Sequence, residues 1–75
     1  MTREEAIIRE AMANEGISNR DALAEKSGVN WQTLRRRMRR PETIMMWEFR
    51  AIVEATKMPD KMVLDFVRGG GHIAE

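Results

Sequence analysis

The sequence predicts an all-α protein, a compact bundle of about five short helices. Three observations carry that expectation. Apolar residues recur at helical spacing in five separate stretches. No stretch alternates apolar and polar side chains as a half-buried strand does. Between the stretches stand residues that start and stop helices. The 75 residues divide into one domain, residues 1–68, and a glycine-rich tail, residues 69–75. A chain of this length buries only roughly 60 % of its unfolded surface, so support from a partner or a second copy is expected.

Taken in order, Thr2 caps the first helix, and Glu5 completes a T-x-x-E capping box. Ile7, Ile8, Ala11 and Met12 form its apolar stripe, and Gly16 is its stop. Ser18 or Asn19 caps the second helix, with Asp21 placed to reciprocate with Ser18. Leu23 and Ala24 face inward, and Gly28 ends the helix after about two turns, too short to stand without neighbours. The third helix starts at Asn30 and runs to Arg39 or Arg40, because Pro41 forbids continuation. Met45, Met46, Phe49, Ile52 and Val53, at i, i+1, i+4, i+7 and i+8, mark a fourth. Pro59 or Asp60 opens a fifth, with Met62, Val63, Phe66 and Val67 on one side. Residues 69–75, GGGHIAE, read as a flexible tail. Phe49, Ile52, Trp47, Met62 and Phe66 are expected mostly in the core. The apolar residues of the fifth helix, with Met58 and Ile73, exceed what one small core needs, and the surplus points to a homodimer contact.

Net charge is only +1, but its distribution is uneven. Residues 1–30 carry −2, residues 31–40 carry +5 with no acid, and residues 41–75 carry −2. A field concentrated on one element suits a polyanion docked at one place. The bland reading is a solvated helix face paired with the acidic flanks; five cations without an interleaved acid weaken it, because neighbours repel. The chain has no cysteine and one histidine, His72, so disulfides and thiolate metal sites are excluded and no metal or other cofactor is expected. No nucleophile–base pairing or phosphate loop is evident, and RGGGH lacks the Lys-Ser/Thr that would bind nucleotide. An enzyme is therefore not expected, nor a small-molecule ligand. The charged, periodic N-terminus is no signal peptide, and the longest apolar run, Ile44 to Trp47, cannot span a membrane. A cytoplasmic location follows as the expectation.

The joint between helices two and three is the most informative stretch. In ALAEKSGVNWQTLRRRM a small residue, Ala24, precedes Gly28 by four, and Val29 and Leu34 follow. The small residue lets two helices approach, the glycine turns sharply, and the apolar residues lock the second helix at a steep angle: a helix-turn-helix. Residues 17–67 resemble the Cro-type helix-turn-helix family, the small phage repressor and Cro-like regulators with a lambda-repressor-like DNA-binding domain. Gly28, Val29, Thr33, Leu34, Arg37, Met38, Pro41 and Glu42 follow that family's pattern, leading into a helix with Glu48, Phe49 and Ile52. Three positions depart from it: Ser27 replaces an aliphatic residue, Met45 a Ser or Thr cap, and Lys57 a helix-ending glycine. The resemblance implies a recognition helix, about residues 30–40, in the DNA major groove.

Helical geometry sorts the arginines. With Leu34 and Met38 defining the inward direction, Arg36 points away from the core, Gln32, Arg39 and Arg40 lie on the outer half, and Arg35 and Arg37 fall on opposite flanks. Gln32 and Arg36 are assigned to base edges, with Arg35 and Arg39 as base or phosphate contacts; arginine matches guanine O6 and N7, glutamine adenine N6 and N7. Trp31 either reaches a thymine methyl or a sugar, or stacks on Leu34 or the stem of Arg35. Arg40 is assigned to phosphate. The resemblance adds Asn19 and Arg20 as backbone-gripping positions, with Asn30 and Thr33 as further phosphate contacts. Arg37 is read as structural, paired with Glu42 or Glu48.

The expected function is thus a sequence-specific, double-stranded-DNA-binding transcriptional regulator, a repressor or Cro-like protein, acting as a homodimer on a palindromic operator in the cytoplasm of a bacterial or phage-infected cell, associated with the nucleoid. Without a second domain, no inducer pocket or self-cleavage module is expected. The alternative is a protein–protein module, an antitoxin or anti-repressor on the same fold, whose outer face on helix three would be acidic or apolar. Arginine-rich RNA binding is a third class, though such segments usually lack the Ala-x-x-x-Gly turn and fold only on binding.

Overall fold

A computed structural model describes residues 2–68. The described chain is all helical: α1 Arg3–Asn14, α2 Arg20–Ser27, α3 Trp31–Arg39, a 3-10 turn Pro41–Thr43, α4 Met46–Thr56 and α5 Asp60–Val67. The tail 69–75, with His72 and Ile73, lies outside the described residues.

Local chemistry sets most boundaries. Thr2 Oγ1 accepts the Glu5 N–H at 3.0 Å; the Glu5 carboxylate turns instead to Arg9, 3.3 Å away, so only one half of the expected capping box forms. Gly16, at φ +75°, ends α1, and the Ile17 N–H returns to the Met12 carbonyl at 2.8 Å. Both side chains are buried, the apolar contact that accompanies this type of helix end. Of the two caps open for α2, the structure uses Asn19, whose side-chain oxygen accepts the Ala22 N–H at 2.8 Å. Gly28, at φ +80°, ends α2 and donates its N–H to the Ala24 carbonyl at 2.8 Å. Ser27, unusual at this place, accepts the Val29 N–H at 3.2 Å and so satisfies a turn amide with its own side chain. Asn30 then caps α3 by accepting from Gln32 and Thr33 N–H, at 2.9 and 3.4 Å.

The core joins all five helices: Ile7, Ile8, Ala11 and Met12 of α1, Leu23 of α2, Leu34 and Met38 of α3, Phe49 and Ile52 of α4 and Phe66 of α5, with Val29 from the turn. The Phe49 and Phe66 rings stack at 4.4 Å, fixing α5 on α4. α2 packs on both α3 and α4, and α1 packs on α5. α2, the turn at Gly28 and α3 thus form the helix-turn-helix, seated on the other three helices.

Three apolar assignments need correction. Met45, Met46 and Trp47 are 55, 63 and 57 % exposed; they open α4 at its first turn, and the stripe becomes buried only from Phe49 onward. Val67, in the last turn of α5, is 66 % exposed, while Met62 and Val63 are partly buried. Met58, expected as surplus, is 5 % exposed and belongs to the core. Lys57 turns it inward: it adopts the left-handed conformation (φ 53°), and the Met58 N–H returns to the Val53 carbonyl at 3.1 Å.

Candidate nucleic-acid interface

α3 shows two opposed faces. Leu34 and Met38 are buried at 0 and 2 % exposure. Away from them, Gln32, Arg35, Arg36 and Arg39, together with Trp31 at the start of the helix, line one open hollow. All five are exposed. A second hollow gathers Arg36, Arg37, Arg39, Arg40 and Thr43. The arginines thus lie on a continuous surface that wraps from the outer face of α3 to its C-terminal end.

Arg37 is set apart from the others. Its Nε donates to Glu48 Oε1 at 2.8 Å and its Nη2 to Oε2 at 3.3 Å. Of the two carboxylates open to it, Glu42 stays exposed and Glu48 is the partner. Glu48 sits in the first turn of α4, 2 % exposed, and also accepts the Met45 N–H at 2.9 Å. One carboxylate therefore closes the start of α4, which has a methionine where a capping side chain would stand, and ties α4 to α3. Burial pushes the Glu48 carboxyl up, but the Arg37 and Met45 hydrogen bonds and the charges of Arg37 and Arg36 outweigh it and hold it below the usual carboxylate range.

The remaining arginines have no such partner. Among the described residues, Arg35, Arg36, Arg39 and Arg40 have no carboxylate within 4.0 Å. Arg35–Arg39 and Arg36–Arg40 are like-charge i, i+4 pairs, each costing roughly 0.2–0.5 kcal/mol. Cations near a helix C-terminus recover part of that through the helix dipole, but that effect needs one or two, and this helix carries four, with a fifth, Arg40, at its C-cap.

Trp31 takes the outward alternative, at 44 % exposure. By angle alone it lies near Met38, yet it is the first residue of α3. Side chains lean toward the N-terminus of their helix, and Trp31 lines the hollow with Gln32, Arg35, Arg36 and Arg39. Asn19 and Arg20 are exposed at the start of α2, and neither hollow includes them. Asn19 and Asn30 spend their side-chain oxygens on caps, which leaves each side-chain NH2 as a donor for an anion. Thr33 is half-buried. Thr43 is the residue that sequence reasoning passed over. It lines the second hollow, and its hydroxyl donates to the Arg40 carbonyl at 2.7 Å, bracing the chain where α3 ends. A threonine two residues past a helix-stopping proline was the available signal.

Among the described residues, no group of three potential metal ligands forms, and no helix is long and apolar enough to cross a membrane. No family model, curated protein or solved structure matches this chain.

Proposed function

We propose that this chain is a small transcriptional regulator of the Cro type that reads double-stranded DNA by sequence, with α3 in the major groove. The observation that carries the reading is the division of labour on α3: Glu48 neutralises Arg37, while Gln32, Arg35, Arg36 and Arg39 share one exposed face free of carboxylates. A face that only solubilised the protein would mix signs, and one that only served the helix dipole would be smaller. Gln32 and Arg36 read base edges; Arg35 and Arg39 take bases or phosphates; Arg40, Asn19, Arg20, Asn30 and Thr33 hold the backbone. Phosphate contacts set register and base contacts set sequence. The regulator binds as a homodimer, with half-sites about 34 Å apart. Exposed Trp47, Leu64 and Val67 supply apolar surface for that contact.

The test is a binding titration on a mixed-sequence duplex at increasing salt. Affinity is expected to fall steeply between about 50 and 200 mM salt, as counterion release requires, and Arg39→Ala and Arg40→Ala together should flatten that slope. No binding at the lowest salt would refute the reading in favour of a protein–protein module.

A further inference from the structure

The attraction of a polyanion accounts for the exposed arginines of α3 but not for Trp31. A large indole left 44 % exposed in a hollow whose other walls are Gln32, Arg35, Arg36 and Arg39 adds nothing to an electrostatic grip. It is also not consumed by the core, which closes on Leu34 and Met38 from the other side. Its place is specific. It is the first residue of α3, and the first residues of a recognition helix are those that reach base edges. The groups that the base pairs display in the major groove are hydrogen-bond donors and acceptors with one apolar exception, the C5 methyl of thymine. Arg35 stands one turn further along the same face, its Cβ roughly 5–6 Å from that of Trp31, a separation that suits neighbouring bases stacked about 3.4 Å apart.

We propose that the Trp31–Arg35 corner of α3 reads a 5-methylpyrimidine next to a guanine, with the indole against the C5 methyl and the guanidinium on guanine O6 and N7. The assignment rests on the DNA-binding reading above and names the step that α3 recognises. Its chemistry is the methyl group, so thymine and 5-methylcytosine are both ligands, and uracil and cytosine are their unmethylated counterparts.

The experiment starts from the duplex enriched from a random pool. That duplex is expected to hold a thymine–guanine step in each half-site; its absence overturns the proposal. Each such thymine is then replaced by deoxyuridine, which removes one methyl and nothing else. Wild-type affinity is expected to fall about fourfold per methyl, equivalent to about 0.8 kcal/mol. In Trp31→Ala the two duplexes should bind equally, and in Trp31→Leu, which keeps an apolar side chain, part of the preference should remain. Both variants should melt close to wild type. With cytosine at that position, 5-methylation should restore a like factor; restoration by thymine alone would mean that the pair is read through its polar atoms, against the proposal. Equal binding of thymine and deoxyuridine duplexes by wild type, or a preference surviving in Trp31→Ala, also overturns it while leaving DNA binding intact. Failure to bind any duplex refutes the DNA-binding reading itself.

Discussion

Arg37→Ala should destabilise the fold by about 3 kcal/mol. Removing one partner of a buried ion pair costs roughly 3–5 kcal/mol, because it leaves the other charge buried and unpaired. Glu48 meets that condition, with its side chain 3 % exposed. Two features move the figure to the lower end. The Arg37 side chain is 21 % exposed, so water reaches the vacated space, and the Met45 N–H still binds Glu48 Oε1 at 2.9 Å. For a domain of this size about 3 kcal/mol lowers Tm by roughly 12–24 °C. Urea and thermal unfolding at neutral pH measure it. The pH dependence gives a second signature. The Glu48 carboxyl is depressed in the fold, so its contribution is complete above its unfolded value near 4.5 and is lost as pH falls through the lower folded value. Wild type and Glu48→Gln, which cannot ionise, should therefore converge in stability as pH drops below 4.5. A loss under about 1 kcal/mol in Arg37→Ala at neutral pH, against the expected range, would refute the idea that this pair fastens α4 to α3.

Other variants test the turns and the core. Gly28→Ala should cost about 1–2 kcal/mol through the left-handed backbone alone, since nothing lies within 4 Å of the added Cβ; a larger loss would reveal a steric demand at the turn. Lys57→Gly should gain up to about 1 kcal/mol by relieving the same conformation at φ 53°, offset little by the lost contact with Glu15, where Lys57 is 76 % exposed. Leu34→Ala, at 0 % exposure, should cost about 2.7–5 kcal/mol and leave the domain largely unfolded at 37 °C, whereas Arg36→Ala should leave Tm nearly unchanged; circular dichroism melts separate the two.

The parts of the fold legible in the sequence were those that local chemistry decides. A glycine at Gly28, an asparagine at Asn30 and a proline at Pro41 act on the backbone within a few residues, so the limits of α2 and α3 follow from them. The orientation of the α3 arginines was legible too, because two apolar residues, Leu34 and Met38, suffice to set a short helix's inward side. What the sequence left open depended on distant partners. Periodicity could not choose between Glu42 and Glu48 for Arg37, since the choice turns on which carboxylate the start of α4 buries. It could not place Met45, Met46, Trp47 and Val67 outside the core, because an apolar stripe does not say how much of its length a short neighbouring helix covers. Met58 enters the core through a left-handed lysine, a conformation that residue type does not announce. Trp31 was ambiguous because its angle points inward while its position at the helix end carries it past the core.

The central claim, that α3 reads DNA sequence, is tested most directly by selecting duplexes from a random pool and titrating the enriched site against wild type and Arg36→Ala. The account predicts an enriched palindrome with half-site centres about one helical turn apart. It also predicts that Arg36→Ala loses about 1–3 kcal/mol on that site while its affinity for unselected DNA changes much less. Binding without any enriched sequence, equally tight in Arg36→Ala, would contradict it and leave a protein that grips phosphates without reading bases.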